Sequence, residues 1–386
     1  MDIKHLSMAH FRNLGWVEEI QFPPGGLLVA AAPNAMGKTN FLESVVVLLR
    51  GRSWRTRVEE CVAWGEDSFV LRGTVVGGDE TRQIAVRYHR PSRKLRIEEN
   101  GAPVSVVTFY AHYPLVLFLP EDTFLFSRGP SARRNFLNQA LVTYPQYLSA
   151  LVQYHRILKQ RNRALKGARE ADQIRSWTGL LGEQASVLWR HREGFVAVID
   201  AQLTELYGRL SGEYRQFRAQ LVPGAERTDD FVQELVAAWP QERHLGYTLY
   251  GPHRDDMVVL ADGRPVRAAL SRGQIRSLAI ALKFIAHNYL AQISGEEPVL
   301  LLDDVLSELD DRRQRALIKN LPTTQTILTC TTLPAMLKER GDVYLLDLRS
   351  IIARAKLAPK LVEKKQEPEV VEWQQEEGAE ERVAVG

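Results

Sequence analysis

The chain has 386 residues, 45% of them hydrophobic, enough for one large core or two ordinary ones, and its two cysteines, Cys61 and Cys330, exclude a disulfide framework. The net charge of +3 hides an asymmetry: from Glu367 onward seven acidic residues stand against one basic residue, which leaves residues 1–366 at +9, a body that attracts polyanions. Apolar runs as short as Val45–Leu49 and Val299–Leu302 exclude a membrane-spanning helix, and with no amino-terminal signal pattern a soluble, cytoplasmic protein is expected.

Residues Ile3–Phe22 alternate in a way that predicts two antiparallel strands joined through Phe11-Arg12-Asn13-Leu14-Gly15. Leu27–Ala31 is an apolar strand that runs into Ala32-Pro33-Asn34-Ala35-Met36-Gly37-Lys38-Thr39-Asn40, and a helical pattern follows through Phe41–Leu49. Strand, loop and helix are the context of a phosphate-binding loop, here with Ala in place of the first Gly. In such a loop backbone N–H groups surround a triphosphate, Lys38 reaches the terminal phosphates and the Thr39 hydroxyl ligates Mg²⁺, so ATP and Mg²⁺ are the expected cofactors. Ala32 and Ala35 stand where Gly usually permits positive φ or close approach, which leaves turnover open.

Short β segments follow at Phe69–Val76, Gln83–Tyr88 and Lys94–Glu98, with Asn100-Gly101 marking a hairpin. Leu115–Leu119 is a further apolar run, ended by Pro120-Glu121-Asp122. After Gly129-Pro130-Ser131 long helices are expected over Ala132–Ala168 and Asp172–Gln220. Leu151, Tyr154, Leu158 and Leu165 form the apolar stripe of the first. Arg156, Lys159, Arg161, Arg163 and Lys166 lie elsewhere around it, either as a track for a phosphate backbone or as a solvated face, and Tyr147 and Tyr154 read as packing residues.

Strands are expected again over Leu245–Leu260, interrupted by Gly251-Pro252-His253-Arg254-Asp255-Asp256; His253 has no partner at metal-ligand spacing. Leu270-Ser271-Arg272-Gly273-Gln274 opens a helix to about Ala291, with Ser271 as its cap and its positive dipole end outward. Val299–Leu302 reads as a buried central strand of a parallel sheet, so that Asp303 and Asp304 at its carboxyl end face a ligand site. With a phosphate loop and an Asp-Asp strand, the Ser271 helix start looks like the signature motif of ABC-type ATPases, which contacts the nucleotide of the opposite subunit.

At this point the chain resembles one family, the RecF recombination mediators, DNA-repair relatives of the SMC heads. The resemblance rests on Phe11-Arg12-Asn13, Gly37-Lys38-Thr39-Asn40, Ser53-Trp54-Arg55-Thr56, Leu119-Pro120-Glu121-Asp122, Arg133-Arg134-Asn135-Phe136-Leu137, Leu158-Lys159-Gln160-Arg161-Asn162, Gly251–Asp256, Ser271–Gln274 and Leu302-Asp303-Asp304-Val305-Leu306-Ser307-Glu308-Leu309-Asp310, and it runs to about Leu348. It implies an α/β fold, an ABC/SMC-type P-loop NTPase head of mixed sheet plus antiparallel β lobe with an inserted α-helical arm. The expected division is a head in residues 1–120 and 241–349, the arm in 121–240, and a charged, disordered tail in 350–386.

Carried onto this sequence, the resemblance implies that Lys38 and Asp304 are catalytic, Asp304 by orienting and deprotonating the attacking water, and that Thr39 and Asp303 hold the metal. Ala32, Pro33, Asn34, Ala35, Met36, Gly37, Lys38, Thr39 and Asn40 bind phosphate, Ser271, Gly273 and Gln274 complete the site of a second subunit, and Ser307–Asp310 lines the dimer seam. Thr329-Cys330-Thr331-Thr332 lacks the His of transporter ATPases, and Arg272 departs from the common Gln. The implied function is ATP-dependent DNA binding in recombinational repair and replication restart. A homodimer forms on ATP at gapped or single-strand/double-strand DNA, helps RecO- and RecR-like partners load a recombinase, and has weak DNA-dependent ATPase activity. The alternatives are a non-hydrolysing nucleotide-binding scaffold in the same pathway and a transporter-type ATPase subunit.

Overall fold

The computed structural model describes residues 1–167, 171–226, 230–338 and 342–357. The chain opens with the hairpin β1 (Asp2–Ala9) and β2 (Trp16–Gln21), followed by β3 (Leu27–Ala31) and α1 (Lys38–Arg50), which ends on Gly51 at φ 66°. Strands β4 (Ser68–Gly77), β5 (Glu80–His89), β6 (Lys94–Glu99) and β7 (Ala102–Pro103) join the hairpin in a six-stranded antiparallel sheet of order β2-β1-β4-β5-β6-β7. The β6–β7 link is the expected two-residue turn, with Asn100 at φ 50° and Gly101 at φ 79° and Glu99 opposite Ala102.

Helix α2 (Val106–His112) and β8 (Leu115–Phe118) lead to the arm: α3 (Pro130–Leu141), α4 (Pro145–Lys166), α5 (Ala171–Ser211), β9 (Phe217–Val222) and α6 (Phe231–Leu245). Two helical expectations are corrected. The stretch Ala132–Ala168 is two helices, because Pro145 at the first turn of α4 cannot continue α3 and instead starts a new helix. The helix expected to reach Gln220 stops at Ser211, where Gly212 takes φ 68°, and Phe217–Val222 alternates between buried and exposed as a strand. Leu245–Leu260 is likewise not all strand: Leu245 closes α6 on Gly246 at φ 74°, and only β10 (Asp256–Ala261) is extended. Because β9 pairs with β10 and α6 runs through residue 240, the arm and the second head segment share structure at that boundary.

The chain continues through β11 (Arg264–Pro265), α7 (Val266–Ala269), α8 (Arg272–Ser294), β12 (Val299–Leu302), α9 (Asp311–Lys319), β13 (Thr326–Cys330), α10 (Ala335–Lys338), β14 (Val343–Asp347) and α11 (Leu348–Leu357). The order β14-β3-β13-β12-β8 makes a five-stranded sheet whose pairings are all parallel, and β12 has a neighbour on each side and four buried residues, as expected. Its two faces carry separate cores. Leu27 and Val29 of β3 with Leu300 and Leu302 of β12 pack toward α8 and the arm, while Leu28 and Ala30 with Val299 and Leu301 pack toward α1 and the antiparallel lobe. The tail expectation is corrected at its start, since α11 buries Leu348 and Ile352; residues 358–386 lie outside the described ones. Among the described residues no helix is long and apolar enough to cross a membrane.

Candidate nucleotide site

Parallel order brings the ends of β3, β12 and β13 to one edge, and the sequence-predicted residues of the loop and the Asp-Asp pair meet there. The loop turns at Ala35, which takes φ 64°, and at Gly37, which takes φ 90° and caps α1 with no side-chain hydrogen bond. The amide groups of the first turn of α1 therefore have no side-chain acceptor at the cap, the arrangement that suits an anion. Ala35 thus bears the left-handed backbone that Gly would favour, whereas Ala32 is simply buried, its N–H donating to the Cys330 carbonyl at 3.1 Å. A Cβ on Gly37 would come within 3.0 Å of Asn13 Oδ1, and Asn13 Oδ1 also accepts from Asn40 Nδ2 at 2.8 Å.

Lys38 Nζ is tucked back into the loop, donating to the Ala32 carbonyl and to Asn34 Oδ1, each at 3.0 Å. Thr39 Oγ1 donates to Asp303 Oδ2 at 2.9 Å, and Thr329 Oγ1 donates to Asp303 Oδ1 at 2.7 Å. The Asp304 N–H donates to Thr329 Oγ1 at 3.0 Å, and Asp304 takes φ 48°. Burial first, and then the charge of Asp304, push the Cys330 thiol up to about 11 against the pull of Lys38, so lysine and carboxylate flank one thiol. A hydroxyl and a carboxylate 2.9 Å apart are hard oxygen donors that fit Mg²⁺, which takes one or two protein ligands beside phosphates and water. Among the described residues no cluster of three or more His, Cys, Asp or Glu competes for that ion.

The second group of predicted residues lies apart. Ser271 is exposed and caps α8 reciprocally: its Oγ accepts from the Gln274 N–H at 3.3 Å while Gln274 Oε1 accepts from the Ser271 N–H at 2.8 Å. Gln274 Nε2 donates to Glu213 at 2.6 Å, and Arg313, which a Cβ on Gly273 would meet at 3.3 Å, pairs with Glu213 and with Asp310. Among the described residues, no hydrogen bond or ion pair joins Ser271–Gln274 to Ala32–Asn40 or to Asp303.

The DNA replication and repair protein RecF of Geotalea daltonii is 32% identical over 345 residues, which cover 86% of this chain and 94% of that protein. The chain belongs to the RecF family. RecF of Moorella thermoacetica is 32% identical over 354 residues, covering 89% of this chain and 94% of its own. Solved structures of the recombination mediator protein RecF-ATP and RecF-ATPrS in the RecFOR pathway superpose with TM-scores of 0.81 at 28% identity, covering 90% of this chain and 95% and 96% of theirs. The Smc head domain with an extended coiled coil from Pyrococcus furiosus shares the fold, with a TM-score of 0.50 at 16% identity over 90% of this chain and 94% of that one. No family profile matches the chain.

Three features of this RecF-family pocket carried no assigned role in the sequence. Arg12, at φ 52°, clamps the fully buried Glu43 of α1 with Nε and Nη2 at 2.9 and 2.8 Å, and Ser53 Oγ donates to the same carboxylate at 2.5 Å. Asn13 braces Gly37 and Asn40, and Thr329 ties Asp303 to Asp304. The available signal was Glu43 itself, one acid among Phe41, Leu42, Val45 and Val46 on a helix that must be buried.

Proposed function

We propose that this protein is an ATP-dependent DNA-binding dimer of recombinational repair, whose two nucleotide sites are each completed by the partner copy. The observation that carries the reading is the split between two groups: Lys38, Thr39, Asp303 and Asp304 converge in one pocket, while Ser271 lies exposed and is engaged with Gln274 in the cap of α8. Lys38, already desolvated, exchanges its two loop acceptors for terminal phosphate oxygens, and the N–H groups of the α1 start receive the remaining charge. Thr39 and Asp303 hold Mg²⁺, which when bound neutralises charge on the phosphoryl oxygens. Asp304, held at the start of the turn by the Thr329 hydroxyl, orients and deprotonates the attacking water. Ser271, Gly273 and Gln274 reach the γ-phosphate of the partner's nucleotide with the amino-terminal dipole of α8, so ATP joins two copies and hydrolysis releases them.

Membership of the RecF family supports DNA as the ligand, held mainly through its phosphates, and RecO- and RecR-like proteins and a recombinase as partners, in the cytoplasm. Sizing the full chain with ATP, with ADP and with neither tests the reading. A dimer with ATP alone is expected, abolished by Ser271→Arg and by Lys38→Ala; one size under all conditions would remove the mechanism. The scaffold reading is favoured by one observation, the left-handed Ala35, which carries backbone strain that Gly would not. Measured ATP turnover with and without DNA separates the two.

A further inference from the structure

Two of the stretches that carry the family resemblance, Arg133–Leu137 and Gly251–Asp256, do not join the nucleotide pocket, yet they meet at the root of the arm. Arg133 grips Asp256 with Nε and Nη2 at 2.6 and 2.9 Å. The Asp255 carboxylate is fully engaged: Oδ1 accepts from Trp189 and from the Gly224 N–H, and Oδ2 pairs with the buried Arg192 at 2.6 Å. Tyr154 donates to His253 Nδ1 at 2.7 Å. This scaffold leaves Arg134 without an acid of its own: it donates to the Asp255 carbonyl at 2.8 Å and forms no ion pair among the described residues.

Arg134 lines a cleft of about 180 Å³ with Ser131, Asn135 and His155, above Tyr154 and His253. Burial and then the charge of Arg192 hold the Arg134 guanidinium below its ordinary value, and Asp255 and Asp256 offset this only in part. His155 is held down by burial and by the same two arginines. A partly buried cleft with surplus positive charge stabilises an anion placed in it. Its volume is below the several hundred Å³ usual for a small-molecule site, which suits one protruding phosphate. From His155 a second groove continues along α4 past Lys159, Arg163 and Lys166, so the cations form a line and not a point. Arg161, in contrast, turns inward to Glu242 and leaves that line.

We propose that this cleft seats one backbone phosphate of a nucleic acid, with Arg134 as its main donor, and that Lys159 and Arg163 bind the phosphates that follow. The inference rests on the DNA-binding reading above and deepens it. Anisotropy of a labelled mixed-sequence duplex with the full chain and ATP, across a salt series, tests it. Arg134→Gln and, separately, the exposed pair Lys159→Gln with Arg163→Gln are expected to weaken binding several-fold and to lower the slope of log K against log salt by about 1 per lost phosphate contact; Arg134→Lys retains most of the affinity. The ATP-dependent dimer is unchanged in all three, which separates loss of contact from loss of fold. If the unaltered protein binds duplex and both sets of Gln variants match it in affinity and slope, the cleft belongs to a protein partner or the acidic carboxyl-terminal segment and the proposal fails alone. If the unaltered protein binds no DNA, the functional reading fails first.

Discussion

Thr39 and Asp303, 264 residues apart in sequence, share a 2.9 Å hydrogen bond that ties the first turn of α1 to the end of β12. The bond holds both proposed metal ligands in register before any ion arrives. Asp303→Asn keeps a hydrogen-bond acceptor there but removes the charge, so ATP affinity is expected to lose most of its Mg²⁺ dependence, by about tenfold or more. ATP titrations with Mg²⁺ and with a chelator check this; an unchanged ratio of affinities would place the metal elsewhere.

Ala35 and Gly37 share a left-handed backbone but only one is a glycine. Relief of the Cβ clash at Ala35 is worth roughly 1–2 kcal/mol and the added chain entropy of Gly roughly 0.5–1 kcal/mol, so Ala35→Gly is expected to stabilise by about 1 kcal/mol or less. Gly37→Ala adds the same strain and drives a methyl against Asn13, and is expected to destabilise by about 1–3 kcal/mol. Urea unfolding of both variants tests the contrast; equal shifts of the same sign would contradict the geometry.

Glu43 is fully buried and held by Arg12 and Ser53. Glu43→Ala leaves the Arg12 guanidinium facing an emptied site and is expected to cost about 3–5 kcal/mol. Arg12 also donates to the Glu60 carbonyl and to Thr56, so the loop that follows α1 loosens with it. Limited proteolysis within residues 52–62 reads that loosening.

His253 is held down at about 4, chiefly by burial, with Arg254 adding repulsion. The unfolded chain therefore binds a proton that the folded one refuses between pH 6.5 and about 4. Stability from this group is complete above pH 6.5 and is lost as pH falls through that window, at up to about 1.4 kcal/mol per pH unit. Burial also lowers His287, which adds loss of the same sign. His253→Gln is expected to flatten the difference between unfolding free energies at pH 7 and pH 5; an unchanged slope would assign the acid sensitivity elsewhere.

The parallel core and the loop were legible because each carries a local signature: an unbroken apolar strand, then small residues and Gly-Lys-Thr. The hairpin at Asn100-Gly101 was legible for the same reason, since both residues take the positive φ that they tolerate best. The arm was harder. Phe217–Val222 has too few residues to announce a period, and its identity as a strand comes from β10, about forty residues later. Arg161 shows the limit at the level of single residues. Its spacing put it with the basic face of α4, but only the tertiary fold supplies Glu242, Thr178 and Thr248, which take it inward at 2.6, 3.0 and 2.7 Å. Likewise Thr329 lies in a stretch noted for lacking a histidine, and its link to Asp303 depends on β13 lying between β3 and β12.

The strand order has a consequence for biosynthesis. Both neighbours of β3, β13 and β14, leave the ribosome roughly three hundred residues after it, so the wall that carries the phosphate loop stays open at both edges through most of translation. Helices α4 and α5 of the arm, neighbours in sequence and in mutual contact, pair much sooner. A nascent chain of this protein thus carries paired arm helices on an unfinished head, and ribosomal stalling before Thr326 leaves β3 without either of its strand neighbours.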